Sequence, residues 1–421
     1  MSYEIVRRVA SLVRLCENPY HDRPNLITTE QMMNKQPPVA TFDTGKLDAL
    51  MDREGIDVVL ASSRHNVRYL TGGFYNWFHL RSARASTQRY LSYVGVPKGR
   101  LDDAFYVGGQ TERGQVEASD LWVSDIHLTE PPKSPFFQSV EAATTGALDC
   151  LKKRGFDGGR VGIELAYLPA NAYDELRREL PNAQLVDVTP ILGELRAVKT
   201  PEELDILRRN AEASVRSIQA AVTGCQPGVT TNEIQRRLQA EMSLRGIEMQ
   251  WLIICMGQAG VSTKWPSDQE WAPGEVLRID PGTSLDDYVA DLCRMAVLGE
   301  PSDLANTIIN DCIAMSDALQ EKIRPGMTCG ELYDLGQKLL GEMSYPEYGW
   351  HIAHGCGMVP HEPPMVRGGD PSYVLQPGMV MSMELQCQHP EVGDVKVEDI
   401  VAVTEDGCEC FTMQGREWTV A

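Results

Sequence analysis

The sequence predicts an α/β (α+β) chain. An alternating strand–helix domain over residues 43–194 is followed by a pseudo-twofold domain over residues 195–421, and residues 1–42 form an extension. Three observations lead there. Short apolar runs alternate with amphipathic helical stretches from residue 43 to about 190. A strongly capped helix opens after Thr200. Two motifs of the second half recur, in the same order, 98 and 104 residues later.

The extension, with "CENPYHDRPNLITTEQMMNKQPP" at its centre, is polar and punctuated by proline. It reads as an irregular arm packed on a partner subunit or as a tail. "GKLDALMDREG" and "ANAYDELRREL" carry helical periodicity. "IDVVLASS", "DAFYVGG", "RVGIEL" and "AQLVDV" read as short buried strands. In "VKTPEELDILRRNAEASVRSIQAAV", Thr200 and Glu203 form a capping box with Pro201 at the first helical position. Leu204, Leu207, Ala211, Val215, Ile218 and Val222 then make an apolar stripe at spacings of three and four.

The duplication sits downstream. "QPGVTTNEI" (226–234) is echoed by "RPGMTCGEL" (324–332), each with Pro-Gly and then a threonine cap with glutamate three residues on. "APGEVLRID" (272–280) is echoed by "QPGMVMSME" (376–384), each an apolar strand ending in a carboxylate. Asp280 and Glu384 therefore hold equivalent places in two related halves.

Bulk properties narrow the function classes. A formal net charge of -20 over 421 residues disfavours phosphate backbones and anionic lipid surfaces, so neither nucleic acid nor membrane is an expected partner. Eleven scattered cysteines without a CxxC pair argue against a disulfide scaffold and a zinc finger. "MSYEIVRRVASLV" lacks the long apolar run of a secretory leader, and no stretch of 18 apolar residues occurs. A soluble cytoplasmic protein is expected.

A carboxylate at the end of an apolar strand needs a partner, because a buried unpaired charge is costly. Asp291 lies eleven residues after Asp280, across the turn "PGTSLDDY", so a hairpin whose return strand is "YVADLCRMAVL" brings both onto one face. Glu398 lies fourteen residues after Glu384, on the return strand "VKVEDIVAV". Four converging carboxylates repel one another, and cations are the natural compensation. His354, in "HGCG", offers a nitrogen where flanking glycine permits close backbone approach. Such a donor set suits manganese, iron or cobalt, with zinc possible. Carboxylates shared between two ions would acidify a bridging water into a nucleophile.

"IDPGTSLDDYVADLCR", "HGCGMVPHEPP", "LQPGMVMSMEL" and "VKVEDIVAVTEDG" resemble the motifs of the pita-bread metallopeptidase family, which includes Xaa-Pro aminopeptidases, prolidases, methionine aminopeptidases and creatinase. "LRAVKTPEELDILRRNAE" resembles the entry to the catalytic domain of its two-domain members, so residues 43–194 would be the creatinase-like N-terminal domain and 195–421 the pita-bread catalytic domain. The resemblance implies Asp280, Asp291, His354, Glu384 and Glu398 as ligands of two divalent ions, manganese foremost. It implies His361 as a contact to substrate and to the tetrahedral intermediate, Glu384 as the group that moves the proton, and a homodimer. Hydrolysis of an amide C–N bond by a bridging hydroxide, most simply of an Xaa-Pro peptide, is the implied activity.

The chain departs from the family pattern on the substrate side. Lys264 stands nearest to a usual substrate-binding histidine, Asp287 replaces a usual glycine, "MELQCQ" replaces a proline- and glycine-containing continuation, and Lys396 stands where arginine is frequent. A small zwitterion cleaved in the manner of creatinase or of dimethylsulfoniopropionate lyase is therefore an alternative to a short peptide. A non-catalytic binding module on the same scaffold is a further one. His351, Cys356 and Cys387 read as packing residues. Arg294 reads as a partner that orients a ligand carboxylate. The stretch 65–84 reads as core plus an exposed loop, or as the border of a partner subunit's site.

Overall fold

The computed structural model describes residues 39–82, 90–130, 140–257 and 264–421. The arm expected over residues 1–42 lies, up to residue 38, outside the described residues, as does the end of the 65–84 stretch.

A mixed six-stranded sheet comes first, in the order β4-β3-β2-β1-β5-β6. Its strands are β1 Val58–Ala61, β2 Tyr93–Pro97, β3 Phe105–Gly109, β4 Asp125–Thr129, β5 Arg160–Ile163 and β6 Gln184–Asp187. Alternation along each strand divides the apolar residues between two cores. Val59, Ala61, Val94, Val96 and Tyr106 face one core, with residues of the helices Thr44–Glu54, Arg64–Thr71 and Thr189–Ala197. Val58, Leu60, Tyr93, Phe105 and Val107 face the other, with Val140–Lys153 and Ala170–Glu179. Glu164, just past β5, is buried and accepts from Ser62 N at 2.6 Å, Ser63 N at 2.7 Å and Asn66 Nδ2 at 2.6 Å. Backbone donors thus satisfy a carboxylate that water cannot reach.

The second half repeats itself in space as it does in sequence. β7 Glu248–Met256, β8 Val276–Leu285, β9 Tyr288–Asp291, β10 Arg294–Val297 and β16 Thr419–Val420 form one sheet. β11 Gly349–Gly355, β12 Glu362–Met365, β13 Val380–His389, β14 Gly393–Val403 and β15 Cys408–Cys410 form the other. Thr230 and Thr328 cap the equivalent helices Thr231–Leu244 and Cys329–Leu340 by accepting from Glu233 N and Glu331 N. The echoed Pro-Gly turns match conformationally: Gly228 and Gly326 both have φ 89°, and Gly274 and Gly378 have 77° and 86°. Left-handed backbone at these positions is what glycine supplies without a Cβ penalty. The two sheets meet at an antiparallel bridge between Cys293 and Glu398.

The expected return strand "YVADLCRMAVL" is broken. β9 and β10 both pair with β8, but Leu292 and Cys293 step out of the ladder between them. Cys293 leaves β8 to bridge β14, which carries Asp291 towards Glu398. Helix Pro201–Val222 pins the β8–β9 hairpin from behind. Asn210 Nδ2 donates to the Thr283 and Tyr288 carbonyls at 3.2 and 3.0 Å, and Ser214 Oγ lies 2.6 Å from Thr283 Oγ1. Glu203 does two jobs: it closes the capping box onto Thr200 N at 2.7 Å and accepts from Tyr288 Oη at 2.8 Å. The hairpin turns at Asp286 and Asp287, with φ 50° and 67°. That conformation explains why glycine is favoured at 287. Here an ion pair from Arg68 Nε, 2.6 Å from Asp287 Oδ2, holds the turn against the first sheet's helix.

Gly282 pairs with Asp291 across the hairpin, and a Cβ there would meet the Trp251 ring at 2.2 Å. Gly282→Ala is expected to lower stability by about 1–3 kcal/mol through overpacking. Denaturant melts would show this as a reduced midpoint at unchanged slope; a wild-type midpoint would contradict it.

Candidate metal centre

The site assembles where the hairpins of the two halves face each other. Asp280 lies in β8, Asp291 ends β9, His354 lies in β11, Glu384 in β13 and Glu398 in β14. Glu384 and Glu398 are direct cross-strand partners, so both carboxylates leave one face of the β13–β14 ladder. His354 pairs with Ser382 in β13, two residues before Glu384. Ligand-bearing atoms of Asp280, Asp291 and Glu398 lie within 4.8 Å of one another, as do those of His354, Glu384 and Glu398, and those of Asp291, His354 and His361. All five predicted donors, with His361 at their edge, are thus brought together.

Gly355 makes part of this possible. A Cβ there would meet the Glu362 and Pro363 carbonyl oxygens at 2.4 Å, so only glycine lets β12 cross this close behind His354. The His354 Nδ1 side faces the Gly355 carbonyl at 3.3 Å, and Nε2 faces Glu384 Oε1 at 3.2 Å and Asp291 Oδ2 at 4.0 Å. With its proton on Nδ1, the ring would present the Nε2 lone pair to the carboxylates.

Crowding shows in the acidities. Burial raises Glu398 to about 7, with the Glu384 and Asp280 charges adding to it and Lys396 opposing. Burial and the charges of Glu398 and Asp280 push Asp291 well above the carboxylate range. Glu384 runs the other way: burial would raise it, but the His354 hydrogen bond and the Lys396 charge hold it down at about 2. Burial alone would lower His354, yet Glu384 and Glu398 together raise it. Burial and the neighbouring His354 charge lower His361.

Cations already reach into the cluster. Lys396 Nζ lies 2.9 Å from Asp280 Oδ2, 2.6 Å from Glu384 Oε2 and 2.8 Å from Glu398 Oε2. Arg278 grips Asp280 Oδ2 through Nε at 3.1 Å and through Nη2, and extends Nη1 to Asp394 Oδ2 at 2.8 Å. Even so, Glu398 Oε2 has no aligned hydrogen-bond donor among the described residues. A set of hard oxygens with one imidazole, an orphaned carboxylate oxygen and excess negative charge fits a divalent cation.

Sequence reasoning missed Arg278, although an arginine inside the apolar run "EVLRID", two residues from Asp280 and so on its face, was the available signal. It also missed the anchor of the His361 loop. Glu362 is buried, with Lys199 Nζ 2.9 Å from Oε1 and Arg196 Nε 3.2 Å from Oε2. Arg196 continues to Asn66, whose Nδ2 donates to Glu164, so the first sheet braces the loop.

Arg294 does not orient a ligand carboxylate. Three residues along the chain, past the break, it lies on the opposite side from Asp291, where it binds Asp399 Oδ1 at 2.9 Å and the Glu398 carbonyl at 2.7 Å. Lys264 is exposed, and no polar contact ties it to the cluster among the described residues. His351 packs beside Gly336 and Tyr333, its pKa pushed down to about 4 by burial. Burial pushes the Cys356 thiol up to about 12 and Cys387 to about 11, so neither is a thiolate at neutral pH.

Comparison with known proteins bears on the same residues. The profile of metallopeptidase family M24 matches residues 205–405, and that of the creatinase/prolidase N-terminal domain matches 44–198. The Xaa-Pro dipeptidase of Lactobacillus helveticus is 31% identical over 271 residues, 63% of this chain and 73% of that protein. The Xaa-Pro dipeptidase of Lactobacillus delbrueckii subsp. lactis is 29% identical over 89% of this chain and 98% of its own length. Among solved structures, the Xaa-Pro dipeptidase from Bacillus anthracis superposes with a TM-score of 0.76 at 23% identity, covering 90% of this chain and 99% of that one. The prolidase from Pyrococcus horikoshii OT3 gives 0.72 at 23%, covering 89% and 99%.

Protons and cations compete for these donors. As pH falls below about 7, Glu398 and the raised His354 take up protons that a cation has to displace. Manganese affinity is therefore expected to weaken with falling pH by about tenfold per unit for each proton displaced. Calorimetric titrations in buffers of different ionisation enthalpy would show net proton release; heats independent of buffer would contradict it.

Proposed function

The chain belongs to metallopeptidase family M24, and from that premise we propose that it is a metal-dependent peptidase that cleaves Xaa-Pro dipeptides. The observation that carries this is the convergence of Asp280, Asp291, His354, Glu384 and Glu398 on one buried site, with His361 at its edge. Relatives named Xaa-Pro dipeptidase, matched over most of both chains, support the substrate class. They do not favour the creatinase-like or lyase-like alternative.

Those five residues would hold the divalent ions, which when bound supply Lewis-acid polarisation and charge neutralisation. The protein's own groups do the rest. Glu384, held ionised at neutral pH, offers Oε1 as a base that accepts a proton and passes it to the leaving nitrogen. An Xaa-Pro bond is a tertiary amide, so its nitrogen departs only once protonated. His361 is exposed, and its ring centroid lies 4.2 Å from that of His354, the two rings tilted by 39°. Burial and the His354 charge lower its pKa, which favours the neutral ring, and it gives one N–H to the developing oxyanion. The Glu362–Arg196–Lys199 anchor fixes where that N–H points.

Manganese, with iron, cobalt or zinc as alternatives, suits the donor set. A homodimer follows the family resemblance. A cytoplasmic location is supported by ten described cysteines that are all free thiols. Domain limits of 43–194 and 195–421, after an extension over 1–42, belong to the same proposal, and separate family profiles over 44–198 and 205–405 support a two-domain division.

Manganese-loaded protein is expected to hydrolyse Xaa-Pro dipeptides and to lose that activity in chelator. His361→Ala should lower kcat by about 100-fold, as loss of one oxyanion donor does elsewhere. No turnover of any Xaa-Pro dipeptide by the loaded protein would overturn the reading, as would full activity in chelator.

A further inference from the structure

One helix of the first domain reaches two separate parts of the second. Helix Arg64–Thr71 is capped by Ser63 and buries Val67 and Leu70 completely, so it is fixed within its own domain. From it, Asn66 Oδ1 accepts from Arg196 Nη1, and Arg196 Nε lies 3.2 Å from Oε2 of Glu362, the residue after His361. Two residues on, Arg68 Nε lies 2.6 Å from Asp287 Oδ2, at the tip of the hairpin that carries Asp280 and Asp291. The hairpin and the His361 loop also meet directly. Val289 N donates to the Gly357 carbonyl at 2.7 Å, and a Cβ on Gly357 would lie 2.2 Å from Glu362 Oε1. Hairpin, helix and loop therefore close a ring of contacts.

The turn does not need an aspartate at 287 for its shape. Leu285 pairs with Tyr288 across two residues, and φ of 50° and 67° at Asp286 and Asp287 is the left-handed pair that a tight hairpin turn requires. Glycine and asparagine take that conformation at least as readily. Aspartate instead adds a negative charge to a hairpin that already carries Asp280, Asp286 and Asp291. What it gains is the contact to Arg68. The two side chains are 16% and 22% exposed, so salt screens the pair only in part. The contact is an ion pair rather than an aligned hydrogen bond, and Arg68 Nε has no aligned acceptor among the described residues. Asn210 and Ser214 hold the hairpin from within its own domain, whereas Arg68 sets it against the first.

We propose that Arg68 and Asp287 are positioning residues, through which helix Arg64–Thr71 sets the spacing between the hairpin that ends on Asp291 and the loop that carries His361. This rests on the reading of the site as a metal-dependent peptidase centre and makes the first domain part of what determines its geometry. Without the pair, the hairpin tip is free to shift against the His361 loop. Shifts of well under about 1 Å between reacting groups are enough to slow chemistry.

The test is a double-mutant cycle on the full chain loaded with manganese: Asp287→Asn, Arg68→Met and both together. The readouts are Xaa-Pro dipeptide kinetics, manganese affinity by calorimetry, and thermal melting. Asparagine tolerates left-handed backbone and keeps the side-chain shape, so Asp287→Asn removes the charge alone. Each single variant is expected to lower kcat by about tenfold with KM within about twofold, and to weaken manganese binding by about threefold. The double variant should be no worse than either single, because both remove one interaction. Arg68→Lys keeps the charge and should restore most of kcat. Melting should stay near wild type, since a partly exposed ion pair contributes little to stability. Should Arg68→Met fail to fold, Asp287→Asn and Arg68→Lys decide. Wild-type kcat and manganese affinity in the single variants would overturn the proposal, as would losses that add in the double variant. If the loaded wild type turned over no Xaa-Pro dipeptide, the peptidase reading would fall separately. Manganese affinity would then decide, a coupled loss supporting the positioning role and unchanged affinity overturning it.

Discussion

Four carboxylates cannot share a dry cleft without cations, and much of this architecture serves that electrostatic constraint. Asp280, Asp291 and Glu398 are buried, and Glu384 nearly so. Burial, with their mutual repulsion added, raises Asp291 and Glu398, while His354 and Lys396 hold Glu384 ionised. With no cation bound, the same group of charges lifts Glu398 and holds its cross-strand partner Glu384 down.

The fold meets the constraint through two copies of one device. Each half sends an apolar strand to a carboxylate, turns, and returns a second carboxylate. The breach at Leu292 and Cys293, where the first hairpin abandons its own ladder to bridge β14, joins the copies. Glycines at 282 and 355 keep the approach close, because a side chain at either would collide with Trp251 or with the β12 backbone. The first domain contributes at a distance: Glu164, Asn66 and Arg196 form a buried polar line that ends on Glu362, beside His361. A polar line that begins beside the first sheet therefore anchors the residue that follows His361.

Much of this was legible in the sequence. The duplicated Pro-Gly turns and threonine caps appear where the spacing put them, because local capping chemistry is read from neighbouring residues. The five donors were legible because their motifs recur in order. What escaped was non-local. Nothing adjacent to Lys396 reveals that three strands from two halves deliver it three carboxylates, and nothing near Glu362 reveals Arg196. Arg294 lies three residues past Asp291, and that odd spacing, together with the break between β9 and β10, turns it to the other side. Lys264 stands nearest to a usual substrate-binding histidine, and its side chain is exposed and tied to none of the site residues among those described.

The central claim is that these donors form a metal centre. An anomalous difference map from crystals grown with manganese, collected on either side of the metal's absorption edge, tests it most directly. A peak is expected within coordination distance of Asp291, His354, Glu384 and Glu398. A map without anomalous density among these side chains, at full manganese saturation and neutral pH, would contradict it.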